Sequence, residues 1–333
     1  MSTGSATRDA EAGGARGTDK AAAPGSTGPV ARKTRKRRSG IRGNTLWFWV
    51  FVGPLAVGML VFSYLPIIWS LVLSFFEAQN TVTPSKFVGL RNYVDMLTDH
   101  NFLSSLVTFS VFAVFIVPLT FVLALALALL VNQVQVARTF FRSVFFLPTA
   151  CSYVVASLIW RLSIFNGVRF GLANTVLGWL GTDQIAWLST VDPPWYWVPI
   201  VTVRLWLQLG FYMILFIAGL QRISPVLYEA AYVDGAKPGW QTFRYITLPQ
   251  LRATSVAVLL LNLIAAYQAF DEFYNLLGNV NFARPPLVYL YSISLGSIQD
   301  LGHGSAGALI LAVIIMVLTL VQNKIFGFGR AND

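Results

Sequence analysis

Residues 102–131 read FLSSLVTFSVFAVFIVPLTFVLALALALLV, thirty positions without one charged side chain, from Phe102 to Val131. The apolar residues are continuous rather than alternating, which rules out the pattern of a lipid-facing barrel strand. About 20 such residues carry a helix across the hydrocarbon core of a bilayer, and only helices or closed barrels satisfy their backbone there. This stretch fixes the class as α-helical membrane protein.

The rest of the chain agrees. Of 333 residues, 56% are apolar and 11% charged, against roughly 25% charged in soluble domains. So little charge cannot cover a globule in water. Five further apolar runs stand out, giving spans at residues 46–76, 102–131, 144–160, 197–220, 254–277 and 305–326. The expectation is an all-α polytopic protein with about six transmembrane helices.

Residues 1–30 are rich in Gly, Ala, Ser and Thr and have no periodic apolar pattern, as expected of a disordered tail. A basic run, Arg32-Lys33-Thr34-Arg35-Lys36-Arg37-Arg38 with Arg42, precedes the first span. The run fits a cytoplasmic anchor better than a cleaved leader or a nucleic-acid contact, because the apolar run after it is too long and more spans follow. With both termini inside, the inner segments near the spans hold 15 Lys/Arg and the outer loops hold 5. That bias is the positive-inside pattern. The divisions expected are 1–44 as a basic cytoplasmic tail, 45–101 as the first span and outer loop, and 102–330 as a five-helix core. The net charge of +10 is therefore a topology signal, and no nucleic-acid partner is expected.

Chemistry is sparse. Cys151 is the single cysteine, and His100 and His303 are far apart in sequence, so neither a metal site nor a cofactor is expected. No G-x-x-x-x-G-K-[ST] phosphate loop occurs. The chain is expected to be no enzyme.

The loop at residues 221–250 has a different character. Ser224 suits an N-cap, Pro225 the first helical position and Gly235 a left-handed stop. A short helix outside the membrane is expected, with Glu229 and Asp234 as its charges. A second amphipathic piece runs through Trp240, Phe243 and Ile246 to Leu248-Pro249. Such a compact helix–turn–helix suits a groove on a partner protein.

Glu229-Ala230-Ala231, Asp234-Gly235-Ala236, Phe243, Ile246, Leu248 and Pro249 resemble the EAA loop of binding-protein-dependent ABC-importer permeases. Trp206-Leu207-Gln208-Leu209-Gly210-Phe211, Ala269–Asn275 and Gly304–Ala308 resemble the carbohydrate-uptake, maltose-type branch. The resemblance implies the type I importer-permease fold and a coupling role for Glu229, Ala230, Ala231, Asp234, Gly235 and Ala236. It also implies two separate ATPase subunits, a second permease subunit and an extracytoplasmic solute-binding protein. Its glycine-rich run after span five is replaced here by residues 278–286.

Two sets of residues inside the spans are candidates for function. Asn262, Ala266, Ala269 and Phe273 recur at helical spacing and either line a sugar path or pack against another helix. Arg204, Asp271 and Glu272 share a depth with Arg161 and form either an outer gate or ion pairs. An importer of a non-sugar solute such as a glycerol-phosphate ester is the alternative, and it would want Arg204 facing the pore. A secondary transporter would need coupling acids near the midplane, and the span carboxylates lie toward one end.

Overall fold

A computed structural model describes residues 41–134, 136–168 and 170–326, with side chains described from Trp47 through Ile325. The expectations for the tail at residues 1–40, for Arg169 and for Arg330 lie outside the described residues. The chain divides into two units at Val57 and Gly58. Over its described residues the first is helical.

The helices, in order, are α1 (Ile41–Met59), α2 (Leu65–Leu73), α3 (Arg91–Thr98), α4 (His100–Gln133), α5 (Arg138–Phe146), α6 (Tyr153–Ile159), α7 (Leu172–Trp179), α8 (Trp197–Leu220), α9 (Pro225–Val233), α10 (Trp240–Thr242), α11 (Leu248–Gln250), α12 (Arg252–Tyr267), α13 (Asp271–Leu277), α14 (Pro286–Ser294) and α15 (Leu301–Phe326). Phe76–Glu77 and Lys86–Phe87 pair as a minimal antiparallel hairpin, a small exception to the helices of the described residues. Four helical stretches are long and apolar enough to cross a membrane: Trp47–Leu73, His100–Gln133, Trp197–Leu220 and Leu301–Ile325. The number rises to six if each of two bent helix pairs is one span.

Those bends correct the sequence reading. Span three was expected as one run over 144–160. Instead Arg138–Ala150 and Tyr153–Ile164 meet at 94°. Pro148 has no N–H to give the preceding turn, the helix tightens to a 3₁₀ turn over Leu147–Ala150, and Cys151 and Ser152 are extended. Span five was expected unbroken over 254–277, but α12 stops at Tyr267 and α13 begins at Asp271. Residues 278–304 were expected as an outer loop, yet they contain α14, which opens on Pro286 and buries Val288 and Leu290.

α4, α8 and α12 form the centre of the second unit. At one end Phe109, Phe112, Ile116, Ile200, Val203 and Phe273 make a common core. Toward the other, Ala124, Ala128, Met213, Phe216 and Val258 continue it. α14 and α15 close a third cluster around Phe102, Leu290 and Ala306. His303 near the start of α15 contacts Asp300 at 2.8 Å and Asp95 of α3 at 3.3 Å, tying that helix end to its neighbour.

Candidate functional site

The loop between α8 and α12 begins as its sequence implies. Pro225 occupies the first turn of α9. Ser224 is extended at the cap position, but its hydroxyl makes no capping bond, so this helix start rests on proline geometry rather than on a side-chain cap. At the other end Gly235 has φ +86°. The Ala236 N–H donates to the Ala231 carbonyl at 2.9 Å and the Gly235 N–H to the Tyr232 carbonyl at 3.1 Å. This is the Schellman pattern, which needs a residue without a Cβ at the left-handed position.

Behind α9, the Tyr228 and Thr247 hydroxyls bond at 2.9 Å, locking the helix to the segment that leads into α12. In front, Glu229, Ala230, Asp234 and Gly235 are exposed, while Ala231 and Ala236 are half-buried. Val226, Val233, Trp240 and Tyr245 are exposed beside them. A cleft of about 670 Å³ opens next to α9, walled by Tyr228, Tyr232, Trp240 and Phe243 with Asn132 at the end of α4. The loop thus offers a fixed backbone, an apolar rim and two exposed carboxylates.

The span residues are arranged differently. Arg204 of α8 forms an ion pair with Glu272 of α13, and both side chains are almost wholly buried. Arg204 also donates to the Ala265 carbonyl and lies 5.8 Å from the Phe112 ring centre. The helix break explains the carbonyl. Ala269 would bond Ala265 in an unbroken helix, but its N–H turns to Ala266. Arg161 donates to the Asn275 carbonyl at 3.0 Å, and Asp271 is half-buried beside the pair. Of the two readings of these charges, pairing is what Arg204 and Glu272 do.

The face carrying Asn262, Ala266, Ala269 and Phe273 is brought together, but it is filled rather than open. All four are at most 1% exposed. Asn262 Nδ2 donates to the Val117 carbonyl of α4, beside Pro118, at 3.1 Å. Phe273 meets Phe112 edge-on at 5.0 Å. Ala266, Ala269 and Phe273 share one buried cluster with Phe109, Phe112 and Ile116 of α4.

A set that the sequence reading passed over lies on α6 and α8. Gly210 lets the α5 limb approach α8 so closely that any Cβ there would overlap the Phe145 carbonyl. Thr149 Oγ1 adds a bond to the Leu207 carbonyl at 3.0 Å. That seating turns α6 so that Trp160 packs on Trp206, ring centres 5.1 Å apart, with Trp160 Nε1 donating to Thr202 at 3.0 Å. Nearby in sequence, Ser157 Oγ and Gln208 Oε1 are buried without a hydrogen-bond partner among the described residues. Trp206, Gln208 and Gly210 all stand in the run quoted above; the missing signal was the break at Pro148.

Four long apolar helices, two bent helix pairs and an exposed helical loop between α8 and α12 describe a polytopic helical membrane protein. Residues 120–326 match the model for the binding-protein-dependent transport system inner membrane component, and the chain belongs to that family. It is similar to the trehalose/maltose transport system permease protein MalF of Thermococcus litoralis, 32% identical over 85% of this chain and 94% of that protein. The arabinooligosaccharides transport system permease protein AraP of Bacillus subtilis is 32% identical over 84% of this chain and 88% of its own length. The lactose transport system permease protein LacF of Rhizobium radiobacter is 30% identical over 88% and 96%. In fold it matches a chain of a bacterial alginate ABC transporter solved with an alginate pentasaccharide-bound periplasmic protein. That match has a TM-score of 0.73 and 23% identity, and covers 85% of this chain and 94% of that one. The expected family, helical class and multi-pass membrane character hold, and the chain is a transport subunit of a binding-protein-dependent system.

Proposed function

We propose that this permease carries a sugar or oligosaccharide into the cell, driven by two ATPase subunits that dock on the loop at residues 221–250. Both termini and this loop face the cytoplasm, and a second permease subunit completes the path. The observation that carries the docking role is the closed, anchored α9, whose Glu229, Ala230 and Asp234 point outward from a backbone fixed on both sides. The relatives are named for the transport of trehalose and maltose, lactose and arabino-oligosaccharides, which supports a carbohydrate cargo. The pairing of Arg204 with Glu272 argues against an anionic ester, because the arginine's charge is already neutralised.

The path runs, on this reading, along α6 and α8 rather than past Asn262. Trp206 is partly exposed, a flat ring on which a sugar can stack, and the half-buried Gln208 two residues on supplies an amide for hydroxyls. The test is uptake of labelled maltose, lactose and arabino-oligosaccharide by cells carrying the whole transporter, with glycerol 3-phosphate as the anionic comparison. Trp206→Ala is expected to weaken sugar uptake while ATP hydrolysis without substrate persists. Uptake of glycerol 3-phosphate alone, or sugar uptake unaffected by Trp206→Ala, would remove the cargo or the path respectively.

A further inference from the structure

A single imidazole ties the first turn of α15 to α3. Asp300 caps that turn: its Oδ1 accepts the His303 backbone N–H at 3.0 Å, and its Oδ2 meets His303 Nδ1 at 2.8 Å. On the far side of the ring, Nε2 lies 3.3 Å from Oδ2 of Asp95 on α3. Both ring nitrogens therefore face carboxylates. An ionised carboxylate only accepts, a neutral imidazole has one N–H to give, and the imidazolium has two. Only the charged ring satisfies both contacts.

The neighbouring elements supply no rival partner for the ring. Arg91, one turn before Asp95 on α3, is exposed and lies 3.6 Å from the same Asp95 oxygen. Tyr93 of α3 bonds Ser74, and Tyr289 of α14 bonds Asp99. Gln79, beyond the hairpin strand that carries Glu77, reaches Asp300 at 3.4 Å. Among the described residues the ring's ionic contacts are with Asp95 and Asp300 alone. His303 precedes Ser305, where the last apolar run begins, and its side chain is 32% exposed, so water can deliver and remove its proton.

The two contacts are not equal. Asp300 is three residues away and also holds the His303 backbone N–H, so it stays beside the ring in either charge state. A neutral ring with its hydrogen on Nδ1 keeps that bond and turns the Nε2 lone pair toward Asp95, where two acceptors repel. The contact that fails is the one between helices.

We propose that His303 is a proton-operated clasp, joining α3 to the start of α15 as the imidazolium and releasing Asp95 as the neutral imidazole. The folded chain, with two carboxylates in place, favours the protonated ring more than the unfolded chain does. The clasp therefore stabilises the fold below the ordinary histidine value of about 6.5 and fades as pH rises beyond it. It opens again in strong acid, near the ordinary aspartate value of about 4, where the carboxylates take up protons. The clasp lies within this chain and is independent of which solute crosses.

His100 and His303 are the only histidines, so side-chain NMR of the full chain in detergent, made with isotope-labelled histidine, reads the clasp directly. The His100→Gln variant assigns the His303 signals. Between about pH 5 and about pH 9, either side of the ordinary histidine value, these should pass from the imidazolium to a neutral ring protonated on Nδ1. Asp95→Asn should lower the midpoint of that change. Melting is the second measurement: the advantage of the unaltered chain over His303→Gln should be largest near about pH 5.5 and shrink toward about pH 8. Asp95→Asn should show the same dependence on pH, and His100→Gln should leave it intact. A midpoint indifferent to Asp95→Asn, a neutral ring protonated on Nε2, or a melting advantage level across the range overturns the proposal. Should His303→Gln fail to fold, the nitrogen signals of the unaltered chain and of Asp95→Asn decide it alone.

Discussion

Arg204 and Glu272 form a buried ion pair that fastens the first third of α8 to the first turn of α13. Neither the pair nor the break at residues 268–270 makes sense alone. The break frees the Ala265 carbonyl, and Arg204 satisfies that carbonyl and the Glu272 carboxylate together. The acid also sits at a helix start, where negative charge is favoured. The sequence placed these charges at one depth; the fold makes a cross-brace of two of them.

Removing one partner leaves the other buried and unmatched. Arg204→Met or Glu272→Gln alone should destabilise the chain by about 3–5 kcal/mol, whereas replacing both with apolar residues of similar volume should restore much of the loss. Thermal unfolding in detergent reads the cycle. Equal melting of the single variants and the unaltered chain would mean the pair is no brace.

The loop at residues 221–250 yields a sharper expectation because its geometry is local. A Cβ at Gly235 would meet no atom within 4 Å, so the penalty for Gly235→Val comes from the left-handed backbone, about 1–2 kcal/mol. Asparagine tolerates that conformation, and Gly235→Asn should be milder. Ala230→Phe should block docking by bulk at an exposed position. Uptake and ATPase coupling should fall in the order Asn, Val, Phe, with membrane insertion unchanged in immunoblots. Full uptake by both Gly235→Val and Ala230→Phe would take the coupling role away from this loop.

Asn262 separates packing from transport. Asn262→Ala should lose the bond to the Val117 carbonyl, about 0.5–1.5 kcal/mol, and lower the melting temperature. Its Oδ1 has no partner among the described residues, so Asn262→Leu, similar in volume, should melt near the unaltered chain. A change in substrate preference in either variant, without a change in melting, would return this residue to the path.

What was legible in the sequence follows from how far each signal reaches. The spans of α4 and α15 show because charge is absent for five turns or more, α8 shows because Arg204 is the single charge in 24 apolar-rich residues, and α9 shows because Pro225 and Gly235 act within one turn. The entry to α14 was marked by Pro285-Pro286, but nine residues are too few to stand out beside full spans. Whether Asn262 meets water or α4 is decided by Phe109, Phe112 and Ile116, some 150 positions earlier in the chain. No periodicity within α12 carries that information. The bend at Pro148 was readable in principle, since proline ends helices, yet its angle depends on where α5 is seated, and that is set by Gly210.

That seating supports the last prediction. Gly210 lies in mid-α8, where alanine is the better helix former by about 0.8–1 kcal/mol, so in an isolated helix Gly210→Ala would stabilise. Here the added methyl meets the Phe145 carbonyl and the Phe146 Cα, backbone atoms that cannot swing aside. The α5 limb must shift outward, pulling Thr149 from the Leu207 carbonyl and turning α6 with Trp160 away from Trp206. Gly210→Ala should therefore lower the melting temperature and reduce uptake together. A cysteine pair at Thr149 and Leu207 should cross-link less readily in that variant. Gly178→Ala is the comparison, since nothing lies within 4 Å of a Cβ there, and it should transport normally. If Gly210→Ala melts higher and transports as before, the α5 limb is free to move, and its packing on α8 does not set the orientation of α6.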